Sequence, residues 1–172
     1  MGLSVFSPAA HPPDERARQR AVDASNILRA PPDATLHTIV VKAAGLFDAP
    51  AAAVSIIDRD RQWFAARVGI PVPETARSIS FCAHAILTPA EPLVLPDLAA
   101  DDRFAGNPFV LNKPSLRFYA GVPVLSREGH PLGTLCVLDD RPRDGALPLD
   151  ELAALARRAG RAIDDIRRTG MA

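Results

Sequence analysis

Cys82 and His84 are the residues of this 172-residue chain whose types most directly suggest chemistry. A thiol and an imidazole two positions apart could be a nucleophile with its base, or two metal ligands. Ser80 can cap a short helix over 81–87. On a helix, residues two apart point to different faces, whereas residues three or four apart share one. Zinc takes about four ligands, and the other cysteine, Cys136, lies far away in the sequence. The expectation is that Cys82 packs as a small hydrophobe and that His84 makes a hydrogen bond in or near a binding site. No catalytic or metal-ligating residue is assigned. A helix start favours thiolate, so Cys82 keeps a chance of redox reactivity.

Aromatic residues make up only 5% of the chain, and most of them crowd its middle. Ligand sites combine apolar walls with a few polar groups that set orientation. Phe64, Phe81, Phe104, Phe118 and Tyr119 are candidate walls, with Trp63 and Phe109 nearby. Asp97, Arg103, Asn107 and Arg117 are interspersed among them as candidate orienting groups. The expected ligand-binding set is Phe64, Phe81, Cys82, His84, Asp97, Phe104, Asn107, Arg117, Phe118 and Tyr119. The same residues could instead be core aromatics and loop caps around a collapsed cavity.

Helices and strands must hold this middle segment. Ala17, Ala21, Ala24 and Leu28 recur at helical spacing over 14–30, and Pro31-Pro32 ends that pattern. Asp33 can cap a second helix over 33–47, with Leu36, Ile39, Val40, Ala43, Ala44 and Phe47 on one stripe. The apolar run 51–57 predicts a buried strand, turning through Asp58-Arg59-Asp60 into a second strand over 61–68. Residues 69–77 read as a loop. A brief strand is expected at 93–95 and a short helix from Asp101 or Asp102 to Ala105, stopped by Gly106-Asn107-Pro108. Strands over 117–125 and 132–138 are joined by Glu128-Gly129-His130, and a last helix covers 149–168. On that helix Leu149, Leu152, Ala156, Ala159, Ile163 and Ile166 form a stripe of the kind two helices share. The stripe could equally cover the domain's own sheet.

Composition narrows the class. One domain accounts for the length, and 48% hydrophobic residues can build a core without staples. Twenty basic residues balance twenty acidic ones, so no basic footprint for nucleic acid is present. No apolar run is long enough for a membrane span. Residues 1–13 lack a signal-peptide pattern and are expected to be a flexible tail, with one domain over 14–169. Two cysteines make no disulfide framework and fit a cytoplasmic protein.

Four blocks tie these readings together: Asp58-Arg59-Asp60-Arg61-Gln62-Trp63-Phe64, Ser80-Phe81-Cys82-Ala83-His84-Ala85-Ile86-Leu87, Arg117-Phe118-Tyr119-Ala120-Gly121-Val122-Pro123, and Gly133-Thr134-Leu135-Cys136-Val137-Leu138-Asp139. In this order and spacing they resemble bacterial GAF domains of the kind found with histidine kinases and diguanylate cyclases, over about residues 20–165. The resemblance implies an α+β, PAS-related fold: an antiparallel sheet with long terminal helices on one face and short pocket helices on the other. It implies sensing by binding. The expected protein is a stand-alone, non-enzymic sensory domain that binds a small ligand and forms a homodimer. It would relay the signal through its terminal helices to a separate histidine kinase or diguanylate cyclase. A thiol-dependent reductase using Cys82 and a ligand-free structural dimeriser are the alternatives.

Family cofactor patterns match unevenly. Bilin attachment uses a cysteine followed directly by histidine, and here Ala83 intervenes. Haem would need an axial histidine, for which His84 is the candidate. The cyclic-nucleotide pattern of Asn-Lys, Phe and Asp-Glu is half present, in Asn112-Lys113 and Phe118, with Val122-Pro123 in place of the acidic pair. The cysteine cluster of the free methionine sulfoxide reductases is not reproduced.

Overall fold

The structure, a computed structural model, describes residues 6–170. Helix α1 (Glu15–Ser25) and helix α2 (Ala34–Phe47) precede a hairpin of β1 (Ala51–Asp58) and β2 (Arg61–Val68). An irregular segment follows, containing β3 (Glu74–Ala76), α3 (Cys82–Ala85), β4 (Leu93–Leu95) and α4 (Pro108–Leu111). A second hairpin, β5 (Phe118–Leu125) and β6 (Pro131–Asp139), and helix α5 (Leu149–Gly170) complete the chain. The six strands form one antiparallel sheet in the order β3-β2-β1-β6-β5-β4.

The strand order explains the composition of the strands. β1 and β6 lie at the centre with both faces covered, so every residue of β1 is buried. Successive strand residues point to opposite faces. Ala52, Val54 and Ile56 join one apolar layer with α1, α2 and α5, while Ala53 and Ile57 join a second layer with the irregular segment. The α+β architecture expected from the sequence is the one observed, with the three long helices on one face.

Local chemistry sets the boundaries. The Asp33 carboxylate accepts from the Leu36 N–H at 2.9 Å and caps α2. Arg59, at φ 50°, and Asp60 form the two-residue β1–β2 turn. The expected 14–30 helix is interrupted: α1 stops at Ser25, Asn26 turns left-handed at φ 59°, and a 3-10 turn covers Ile27–Arg29. Ser25 Oγ donates to the Val22 carbonyl and accepts from the Ile27 N–H, offering the backbone an alternative to another helical turn. The expected 69–77 loop contains the edge strand β3. The expected 101–105 helix is only a turn, and the helix lies at α4, where a stop was anticipated. Asn107 accepts from the Phe109 N–H at 2.9 Å and Pro108 begins the helix, so the residues read as a terminator are a start.

The α5 stripe belongs to the protomer. Leu152, Ala156, Ala159 and Ile163 are buried against the sheet and α2, so of the two readings of this stripe the structure shows the one in which it covers the domain's own sheet, not a seam between two copies. At Gly160 an added Cβ would lie 2.9 Å from the Leu125 carbonyl oxygen, so the helix packs directly on the β5 backbone. In the expected N-terminal tail, Ala9 packs against the second apolar layer, and residues 1–5 lie outside the described residues.

Candidate functional site

The face of the sheet opposite the long helices holds a cavity of about 920 Å³. Phe64 on β2, Tyr119 on β5 and Cys136 and Leu138 on β6 form its floor. Ile70, Ile79, Phe81, Cys82, Phe109 and Leu116, from the irregular segment, form its walls. The exposed Pro71, Val72, Lys113, Pro114 and Asp140 mark its opening. Phe81 anchors the wall, with ring centroids 5.5 Å from Tyr119, 5.6 Å from Phe104 and 6.4 Å from Phe109. Aromatic pairs at such separations and tilts add to the burial of their area.

Polar groups within the wall satisfy one another. Ser80 Oγ donates to Gln62 Oε1 at 2.8 Å, and Gln62 Nε2 donates to Thr75 Oγ1 at 3.0 Å. Ser80 Oγ also accepts from the Ala83 N–H at 3.1 Å, fixing the start of α3. Among the described residues, no buried side-chain nitrogen or oxygen lacks a partner.

The two thiols meet at the base of the cavity. Tyr119 donates its hydroxyl to Cys82 Sγ at 3.2 Å, and Thr134 Oγ1 lies 3.0 Å from the same sulfur. Ser55 Oγ and Thr134 Oγ1 are 3.2 Å apart. Burial would push the Cys82 thiol up, but hydrogen bonds from Cys136, Ser55, Thr134 and Tyr119 outweigh it and bring it down. Cys136 is pushed well up by its bond to Cys82 and by burial, so one negative charge at most occupies the pair.

Not all the expected site residues come together. Phe64, Phe81, Cys82 and Tyr119 line the cavity, and Phe104 packs behind Phe81. Phe118 faces the helices: it meets Phe47 at 6.2 Å and lies under the Arg143 guanidinium at 5.4 Å. Strand alternation makes this necessary once Tyr119 faces the cavity. The polar candidates bond to the backbone of the irregular segment. Asp97 accepts from the Ala99 N–H, Asn107 donates to the Ile79 carbonyl at 3.0 Å, and Arg117 donates to the carbonyls of Val110 and Leu116. Arg103 pairs with Asp101 on the surface. The His84 ring rests edge-on against Phe104 at 4.8 Å. Burial and the Arg103 charge lower its affinity for a proton, against a hydrogen bond that the ring donates to the Ser7 backbone. It does not line the cavity, so the residues present do not fit haem held axially by His84.

Gln62, Thr75, Ser80, Thr134 and Cys136 were missed as site residues. Ser55 and Thr134 stood out as the hydroxyls inside otherwise apolar runs, a signal that could have been followed. The remaining members depend on which strand edges meet.

An ion-pair network connects this wall to α1. Glu15 receives Arg18 at 2.8 Å and Arg77 at 2.5 Å, and Arg77 opens the 3-10 turn leading into Ser80 and Phe81. Arg18, only 1% exposed, also donates to the Pro131 and Leu132 carbonyls of β6.

Residues 31–163 match the family model described as GAF domain. The chain belongs to the GAF domain family. Solved GAF domains share its fold: that of the Acinetobacter phosphoenolpyruvate-protein phosphotransferase has a TM-score of 0.63 at 17% identity, covering 91% of this chain and 98% of the other. The free methionine-R-sulfoxide reductase of Neisseria meningitidis, solved with its substrate, has a TM-score of 0.62 at 13% identity, covering 98% and 99%. Both likenesses show the fold alone. In sequence, the GAF domain is 41% identical over 145 residues to a Pseudomonas aeruginosa protein named as a cyclic di-GMP phosphodiesterase. The match covers 84% of this chain, which spans 24% of that relative. This finding overturns the expectation of a non-enzymic protein: the sequence matches a stretch of a protein named as an enzyme.

Proposed function

We propose that this GAF domain is a small-molecule sensor in bacterial signalling, and that its ligand state sets a cyclic di-GMP phosphodiesterase activity. The cavity between the sheet and the Phe81 wall is the observation that carries the reading. Its buried polar groups are already paired with one another, which favours an uncharged, largely apolar ligand with one or two hydrogen-bonding groups. The phosphodiesterase partner is supported by the Pseudomonas relative, in preference to the histidine kinase or diguanylate cyclase expected at first. The relay would run from the Phe81 wall through Arg77 and Glu15 into α1. Residues 14–169 would act as one unit in the cytoplasm. A homodimer would have to pair through a face other than the inner stripe of α5.

Thermal-shift screening of metabolites and nucleotides tests this reading. A ligand at about 100 times its Kd stabilises by about 2.7 kcal/mol, a rise of about 5–10 °C for a domain of this size. Leu138→Trp, on the cavity floor, should abolish the shift while the sheet stays folded. Ala120, two residues from Val122 on β5 and next to Tyr119, is unsuitable for this purpose: it faces the helices, where a tryptophan would break the core. A ligand that stabilises both proteins equally would place the site elsewhere.

A further inference from the structure

We propose that Cys82 and Cys136 are a peroxide-reactive modification site, closing reversibly to an intramolecular disulfide at the base of the cavity. The two residues are the chain's only cysteines, one at the start of α3 and the other in the central strand β6. Three observations place the sulfurs together. Cys82 Sγ lies 3.0 Å from the hydroxyl of Thr134, which shares a β6 face with Cys136. It lies 3.2 Å from the Tyr119 hydroxyl. That hydroxyl sits 2.1 Å from where a Cβ on Gly121 would stand, and Gly121 is the β5 residue paired with Cys136. The absent side chain at Gly121 lets the Tyr119 ring lie along the sheet and deliver its hydroxyl to the sulfur.

The surroundings suit the chemistry. The attacking species is the thiolate, and the hydroxyls of Tyr119 and Thr134, with the Cys136 thiol, are donors to a charge on Cys82. Both cysteines are buried from bulk solvent, yet both line the cavity, which admits a molecule as small as a peroxide. The Cys82 thiolate attacks the terminal oxygen of the peroxide and the O–O bond breaks. The second oxygen leaves as alkoxide or hydroxide, takes up a proton, and Cys82 carries a sulfenic acid. Cys136 then attacks the sulfenic sulfur, the S–S bond forms, and the OH group leaves with the Cys136 proton as water. In total two thiols are oxidised by two electrons and one peroxide is reduced. An external dithiol returns the pair by exchange. The bond would tether the first residue of α3, and the Phe81 wall beside it, to the sheet. The proposal does not require the small-molecule ligand described above.

Reduced wild-type protein is exposed to equimolar hydrogen peroxide, denatured and alkylated, and its intact mass and non-reducing peptide map are read. The expected product has lost two hydrogens, takes up no alkyl group, joins the Cys82 peptide to the Cys136 peptide, and reverts with dithiothreitol. In Cys136→Ser, dimedone should capture a sulfenic acid on Cys82. Retention of both alkylatable thiols in the folded wild-type protein would overturn the proposal. So would a disulfide found only between molecules, or a sulfinic acid on Cys82 with Cys136 still free. The wild-type readings stand whether or not the variant folds.

Discussion

Glu15 shows how one carboxylate can hold a helix to a binding wall. Burial pushes its pKa up, but hydrogen bonds and charge from Arg18 and Arg77 outweigh that and lower it from 4.5 to about 2. A depressed carboxylate stabilises the fold fully above its unfolded pKa, and this contribution is lost as pH falls towards the folded value. The thermal midpoint of the wild-type protein should therefore exceed that of Glu15→Gln at neutral pH, and the gap should close between pH 4.5 and about 2. A gap that persists in acid would mean that the carboxylate charge is not what Arg18 and Arg77 require. At neutral pH the substitution leaves the buried Arg18 short of its partner, a loss on the order of 3 kcal/mol. None of this was legible in the sequence, where Glu15 is simply an acidic residue near the start of an expected helix. Its Arg77 partner is remote along the chain and leaves no periodic trace. Phe81 was legible because aromatics concentrated in an irregular stretch need a reason, and Tyr119 because it is one of the few aromatics of the chain. Phe118 was misplaced because adjacent strand residues were credited to one face.

Among the elements, those with a periodic apolar stripe or an apolar run could be read directly: α2, α5 and the strands β1, β2, β5 and β6. β4 lies at Leu93–Leu95, where a brief strand was expected between Pro92 and Pro96. The short elements of the irregular segment were harder, because single side-chain hydrogen bonds fix them in place of a repeating pattern. Asn107 is the clearest case, capping α4 with its oxygen and holding the Ile79 carbonyl with its nitrogen. Asn107→Ala removes both bonds from a buried site. It should cost about 1–3 kcal/mol and should speed protease cleavage within 101–117 before the sheet itself unfolds. Denaturant unfolding and limited proteolysis check the two effects separately. Cleavage at the wild-type rate would mean that the segment is held by its aromatic packing alone.

At the scale of the whole molecule, α5 is a structural member of its own protomer. Ala159 is fully buried against the sheet, so Ala159→Glu would place an unpaired charge in the core. The expected outcome is loss of cooperative unfolding or of soluble expression, checked by circular dichroism and size exclusion. A folded, monomeric variant would contradict the buried position. Heptad-like spacing could not distinguish these cases, since a helix lying on a sheet and a helix paired with a copy want the same stripe. The central pairing of β1 with β6 has a further consequence, for the order in which the protein is made. Ala53 pairs with Cys136, so the strand that needs covering on both edges is synthesised long before its second neighbour. On the ribosome, the first hairpin must wait with an open apolar edge while the entire irregular segment is produced. Contacts this distant along the chain fold slowly and leave strand edges exposed meanwhile. Birth of the domain is therefore a late event, gated by the emergence of β6, and the nascent chain needs shelter from its neighbours until then.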